Sequence, residues 1–388
     1  MTSQWMPPGG ATTVDRGVYH MLVGACRVAR TRGAARIGTD DVLVSMLRRS
    51  PELGGVPGFP ARPAATTGTP PAPPVRAQDE HEAEALRTMR QAHWEVFGLS
   101  TGRDSGRSSP DWDAGAVAVV GRSLAAARSV GQSWAGGRQL FDALLADEGG
   151  AALRLLRGNR VDLALLDEAA RRTWPDQGGA EPWSLMVDQL TAWGLLLPAG
   201  APLSGRRRTG LLSAVTSFLG DASLVLAMLE RAALIEAVRL GHARVSVGHL
   251  VVAVLRFEEE TVGSGLRWAP AFAAVNAPVL GPLGLRYRDG LAIVAAAEPG
   301  GPIAAPKRGR RWRSDPRNPP WTAAAAQAAD SARDRAGRGA DAGSLHLLWG
   351  ALSGADDEGR SLLRAMNGDP EAVRAEVSRH LDGGPTRR

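Results

Sequence analysis

Two arginine-rich runs concentrate positive charge in the chain. Arg206, Arg207 and Arg208 are consecutive, and Lys307, Arg308, Arg310, Arg311 and Arg313 surround Trp312. Cations at such spacing can neutralise phosphates along a nucleic-acid backbone and release its counterions, so nucleic-acid contact is one reading of both runs. A solvated linker is the other. Between Glu298 and Pro320 six cations face Glu298 and Asp315, which is +4 of the formal +6. Lys307 is the one lysine among 46 basic residues, a bias that looks more like GC-rich coding than selected phosphate contacts. The isoelectric point of 10.6 reflects the very high side-chain pKa of arginine and overstates the charge at pH 7.

Other reactive types are sparse. The lone Cys26 excludes an internal disulfide and a cysteine-based zinc site. His249 and His346 have no further ligands at metal-binding spacing, so a shared packing or capping role is expected for them. The stretch Asp79-Glu-His-Glu-Ala-Glu84 does not match His-Glu-x-x-His and reads as a solvated helix start. Ser133 sits in Gly131-Gln-Ser-Trp-Ala135, close to a hydrolase nucleophile elbow, but it follows a helix where that motif follows a strand. Lys307 lies in Ala305-Pro-Lys-Arg-Gly309, which is no Walker A loop, so ATP hydrolysis is not expected. The expectation is a non-enzyme without cofactor or metal.

The elements that position these residues are helices. Val18, Met21, Leu22, Ala25 and Ala29 form one apolar stripe at helical spacing, and Gly33 suits its C-terminal cap. Thr39 suits the N-cap of a next helix, with Asp40 and Asp41 in its first turn, where the helix dipole favours anions. Further helices are expected from about Asp113 to Val130, near Gln139 to Leu145, over 151–157 and 162–172, from Asp79 to Phe97, and within 183–197. A last one starts at Asp369 and Pro370. No segment alternates with period two for long, so the chain reads as all-α.

The helices recur. Gly33-Ala-Ala-Arg-Ile-Gly-Thr-Asp-Asp-Val-Leu-Val-Ser-Met-Leu47 returns as Gly241-His-Ala-Arg-Val-Ser-Val-Gly-His-Leu-Val-Val-Ala-Val-Leu255, with weaker copies at 131–145 and 337–352. With Asp41, Gln139, His249 and His346 as anchors, the steps are 98, 110 and 97 residues. Near-equal offsets from first to third and from second to fourth are what duplication of a two-repeat unit predicts. Four degenerate helical repeats then fill two domains, 1–176 and 211–388. A linker with a short helix spans 177–210, a Pro-rich insertion 51–78 and a basic linker 298–320. The Pro-rich and basic segments are the expected protease-sensitive sites. The uncharged run from Trp268 to Leu285 is broken by Pro270, Pro278 and Pro282, so a buried irregular segment is expected and not a membrane span. The chain start lacks a secretory pattern, and a cytoplasmic location is expected.

The repeat carries a resemblance. Ile37-Gly-Thr-Asp-Asp-Val-Leu-Val-Ser-Met-Leu47 resembles the Ile-Gly-Thr-Glu-His-Leu-Leu-Leu-Ala-Leu-Leu signature in the N-terminal repeat domain of Clp unfoldases, especially the ClpC type. Ala151 to Leu166 and Leu362 to Val373 are similar to that family's repeat ending. Two such domains in tandem, without the ATPase modules, are what the resemblance implies. It further implies protein or peptide binding, as an adaptor, decoy or regulator whose partner is a Clp unfoldase or protease or its substrates. Some family members bind phosphorylated arginine at the acidic residue of the Thr-Glu-His turn. That role carries onto Asp40, flanked by Thr39 and Asp41, while Arg138, Gly248 and Leu345 depart from the pattern in the other copies.

Overall fold

The structure, a computed structural model, describes residues 12–57, 76–98, 109–175, 184–198, 200, 223–305, 318–337 and 342–383. The chain divides near residue 182 into two compact units, each mostly helical with a few two-residue strands.

The N-terminal unit contains β1 (Thr13–Val14), α1 (Arg16–Arg32), β2 (Arg36–Ile37), α2 (Thr39–Arg49) and α3 (Pro51–Gly54). It continues with α4 (Glu80–Phe97), β3 (Asp111–Trp112), α5 (Ala114–Ser129), β4 (Trp134–Ala135), α6 (Gly137–Leu145), α7 (Ala151–Gly158) and α8 (Leu163–Thr173). The stripe Val18, Met21, Leu22, Ala25 and Ala29 is buried, and α1 packs on α2 and α4. Gly33 closes α1 in the left-handed region, φ 66°, which glycine adopts without a Cβ penalty. The strands pair crosswise and in parallel, β1 with β4 and β2 with β3. Asp15 and Asp113 cap α1 and α5 alike, each accepting the amide three residues on, at 2.7 and 2.6 Å. The helix α4 starts at its Asp79 cap as expected, but Glu84 is buried and not solvated. It accepts from the Thr13 hydroxyl and pairs with Arg87.

The C-terminal unit contains α9 (Leu185–Ala192), β5 (Leu196–Leu197), α10 (Leu224–Leu240), α11 (Val247–Gly263), β6 (Arg267–Trp268), α12 (Pro270–Ala273) and a 3-10 turn, Ala274–Asn276. It closes with α13 (Tyr287–Ala296), α14 (Ala323–Ala336), α15 (Ser344–Ser353), α16 (Glu358–Ala365) and α17 (Pro370–Asp382). Its core is made where α10 packs on α11, α14 on α15, and α11 on α15. At Gly350 the backbone carbonyl of Ala328 occupies the space of a Cβ, so glycine is what lets α14 and α15 approach. The short helix expected within 177–210 is α9, and it is built into this unit. Ser184, its N-cap, donates to Glu260, and β5 pairs with β6.

Strands escaped the sequence reading because two residues cannot show a period of two. Among the described residues no helix is long and apolar enough to cross a membrane. The uncharged run from Trp268 to Leu285 is one helical turn, one 3-10 turn and a loop, with Val279, Leu280 and Leu285 buried.

Candidate functional site

Four helices begin the same way. At each start the third helical residue turns its side chain back to accept the N-cap amide, which would otherwise be an orphan donor. Asp41 accepts from Gly38 N at 3.0 Å, Gln139 from Gly136 N at 3.0 Å, His249 from Ser246 N at 3.0 Å, and His346 from Gly343 N at 3.2 Å. This corrects one detail: the N-cap of α2 is Gly38, and Thr39 is its first helical residue. With Asp41 supplying the capping oxygen from inside the helix, no hydroxyl is needed at the cap.

The start of α2 is the candidate site. Thr39, Asp40 and Asp41 are 2%, 8% and 0% exposed. Arg32, from the last turn of α1, spans both carboxylates: Nη1 lies 2.7 Å from Asp40 Oδ2 and Nη2 lies 2.6 Å from Asp41 Oδ2. Thr39 Oγ1 accepts the amide of Ala152 at 3.1 Å, tying α2 to α7. Burial, reinforced by Asp40, pushes the Asp41 carboxyl up to about 7, against the pull of the Gly38 amide and Arg32. The neighbouring cap Asp113 is also raised, first by burial and further by Asp40. Chemically this is a carboxylate pair that holds a guanidinium in a charge-assisted fork. The guanidinium it holds is its own, so another enters only when Arg32 leaves.

The other three starts are closed in other ways. Beside α6, Arg138 bridges Asp142 and Asp167, each at 2.9 Å, and the Trp174 indole packs where a Cβ on Gly137 would stand. At α11 the Glu358 carboxylate accepts from Val247 N at 3.1 Å and Gly248 N at 2.9 Å. At α15 Asn276 Oδ1 accepts from Ser344 N at 2.9 Å.

The capping side chains also reach backwards. Gln139 Nε2 donates to Gln132 Oε1 at 2.7 Å, and His249 Nε2 lies 2.9 Å from His242 Nδ1. His249 and His346 thus cap their helices. Among the described residues no group of three or more His, Cys, Asp or Glu side chains could hold a metal. Ser133 sits in the turn between α5 and β4, where its carbonyl accepts the amide of Thr13. Trp134 is buried and Trp349 half-buried under Arg335, whose guanidinium carbon is 5.5 Å from the ring centroid. Arg206, Arg207, Arg208, Lys307, Arg308, Arg310, Arg311 and Arg313 lie outside the described residues.

Sequence reasoning missed Arg32 and a run of three glutamates near the end of α11. Glu258 Oε2 accepts three consecutive amides, Val279, Leu280 and Gly281, at 3.1, 2.8 and 3.3 Å. Glu259 accepts Tyr287 N at 2.7 Å, at the start of α13. Glu260 accepts from Ser184 and pairs with Arg256 at 2.7 Å, and Arg256 also pairs with buried Glu236 at 2.6 Å. The available signal was three acids in a row at the end of an otherwise apolar helix, in register to face three different neighbours. No family model, curated protein or solved structure matches this chain.

Proposed function

We propose that the chain is a non-catalytic protein-binding module of the Clp N-domain kind, two double repeats in tandem, acting in the cytosol as an adaptor, decoy or regulator of a Clp protease. It uses no cofactor. One observation carries the reading: the internal register of the N-terminal unit. Thr13 to Asp111 is 98 residues (111 − 13), and Arg36 to Trp134 is 98 (134 − 36), so the crosswise pairs β1–β4 and β2–β3 exchange under a single offset. The same offset relates the caps Asp15 and Asp113, the left-handed Gly33 and Gly131, and the capping residues Asp41 and Gln139. A second offset relates the backward-reaching pairs: His242 follows Gln132 by 110 residues, and His249 follows Gln139 by 110. The reading takes the carboxylate fork at α2, filled by Arg32, as the binding position for a guanidinium-bearing peptide that displaces Arg32.

The experiment is direct binding of the purified chain to a purified Clp unfoldase, with and without Arg308, Arg310, Arg311 and Arg313 replaced by Gln. Binding that survives the replacement supports the module. Asp40→Asn weakening the capture of an arginine-phosphorylated peptide would assign the ligand to α2. Strong DNA binding with a steep salt dependence that the four replacements flatten, and no unfoldase binding, overturns the reading in favour of nucleic acid.

A further inference from the structure

The turn from α16 into α17 joins two residues that are chemically labile side by side. Asn367 follows the C-cap Met366 with φ 60°, a left-handed conformation that asparagine adopts more readily than most residues with a Cβ. Its amide donates to Arg364 O at 2.9 Å, and the Gly368 amide donates to Leu363 O at 2.8 Å. These are the paired bonds of a Schellman ending. Gly368 lies against Leu285, and a Cβ there would stand 2.8 Å from Leu285 Cδ2. Backbone conformation thus favours asparagine at 367, and packing favours glycine at 368.

The second repeat makes the same turn without this pair. At an offset of 207 residues (367 − 160), Arg160 has φ 53°, its amide donates to Arg157 O at 3.0 Å, and the Val161 amide donates to Leu156 O at 3.0 Å. Asp162 and Asp369 then cap the following helices alike. The geometry is shared and the lability is not. Asn159 precedes Arg160, Asn276 precedes Ala277 and Asn318 precedes Pro319, so Asn367 alone precedes a glycine. The carboxamide of Asn276 is also engaged at both ends, donating to Phe272 O and accepting the Ser344 amide.

We propose that Asn367–Gly368 is a self-modification site: opening of the α16–α17 turn commits Asn367 to deamidation, and the isoaspartyl product, unable to re-close the turn, releases α17. The nucleophile is the Gly368 amide nitrogen, which has no Cβ beside it to hinder attack. Having lost its proton to solvent hydroxide, it bonds to Asn367 Cγ. The bond from Cγ to the carboxamide nitrogen breaks, and that nitrogen leaves as ammonia. Water then opens the succinimide ring at either carbonyl. One opening leaves aspartate, and the other leaves an isoaspartyl residue whose main chain runs through the former side chain. The net change is carboxamide plus water to carboxylate plus ammonium. Asn367 is exposed, so solvent reaches it. The closed turn holds the reaction off, because the attacking nitrogen has its proton committed to Leu363 O.

The isoaspartyl main chain is one methylene longer between the two amides, so the bonds to Arg364 O and Leu363 O no longer form together. Its carboxylate stands at the C-terminus of α16, where the helix dipole opposes an anion. Asp369 and Pro370, the cap and first residue of α17, follow at once. Displacing them pulls on a helix that is held by buried Val373 and Val377 and by its packing on α15.

The test is ageing of the full chain, folded and unfolded in urea, at one mildly alkaline pH and temperature, with peptide mapping by mass spectrometry. In urea Asn367 should be the first asparagine to react. Folding should slow its reaction by at least the protection factor that hydrogen exchange gives for the Gly368 amide, because the same proton must come free for both. Slowing by less than that factor overturns the gating, and no reaction at Asn367 in urea overturns the site. The isoaspartyl form, separated from its parent, should lose exchange protection along α17, while α8, which follows the Arg160–Val161 turn, keeps it. Unchanged protection of α17 in that form overturns the release. Asn367→Gly suits φ 60° and should keep α17 protected through the same ageing; loss of protection in this variant also overturns the release. Asn367→Asp supplies the charge without the extra methylene and should keep most of the protection, and a loss equal to that of the isoaspartyl form overturns the backbone account.

Discussion

At the scale of single residues, Arg32 stands out because it bonds two buried carboxyl groups at once. Removing one partner of a buried, hydrogen-bonded charge pair typically costs about 3–5 kcal/mol, because the remaining charge is left uncompensated. Arg32→Ala should lower the stability of the N-terminal unit by about that much in urea titration, and adding Asp40→Asn should recover part of it. The pH response follows from Asp41. Its carboxyl is raised to about 7, so the folded state binds the extra proton between the unfolded value and 7, and stability falls as pH rises through that window. The slope is at most about 1.4 kcal/mol per pH unit from this one group, and Asp41→Asn should flatten it. A slope of opposite sign from pH 5 to 7 that Asp41→Asn leaves in place would contradict this. Of the site, Thr39, Asp40 and Asp41 were legible because first-turn acids follow a cap-and-dipole rule. Arg32 was not. It lies eight and nine residues earlier, at the end of another helix, and meets the carboxylates only because Gly33 turns the chain back in a left-handed conformation.

Among the elements, α11 differs most from its sequence counterpart. It runs 17 residues where α2 runs 11, and the added turns bring Glu258, Glu259 and Glu260 into play. The buried Glu258 carboxylate takes the place of a secondary-structure partner for three amides of a loop that contains Pro278 and Pro282. An unsatisfied buried donor costs about 1–3 kcal/mol. Glu258→Ala should therefore destabilise the C-terminal unit by about 3 kcal/mol or more and expose residues 277–286 to protease. Glu258→Gln keeps an acceptor oxygen and removes the need to bury a charge at neutral pH, so it should cost far less. Comparable losses for both substitutions would show that packing, and not acceptance of the amides, holds the loop. Helix identity and many boundaries were legible here, since stripes such as Val373 and Val377 and caps such as Asp369 with Pro370 act locally. The extension of α11 was not, because its length is set by what the three glutamates reach, 21 to 76 residues away in sequence.

For the molecule as a whole, the two units have separate cores. The N-terminal one is built around Leu22, Leu43, Met89 and Leu140, the C-terminal one around Leu229, Leu250, Phe257 and Leu348. The single cysteine, Cys26, is buried with its thiol pushed far up by burial, so no disulfide joins them. The recurring helix start was legible because it leaves a similar phrase each time, with Asp41, Gln139, His249 and His346 at its anchor. The place where the chain divides was less so, because Ser184, α9 and β5 belong by their partners to the second unit. Two-state behaviour is a property of single domains, and a chain with two cores is expected to depart from it. Urea unfolding of the full chain should therefore resolve two transitions. Arg32→Ala should move only one of them, and Glu258→Ala only the other, because substitutions in separate cores share no partners. Hydrogen exchange assigns each transition, through the amides of α1–α2 in one case and of α11 and the 277–286 loop in the other. One transition that shifts equally with either substitution would mean that the units unfold as one, and would remove the basis for treating the α2 start as a binding position independent of the C-terminal unit.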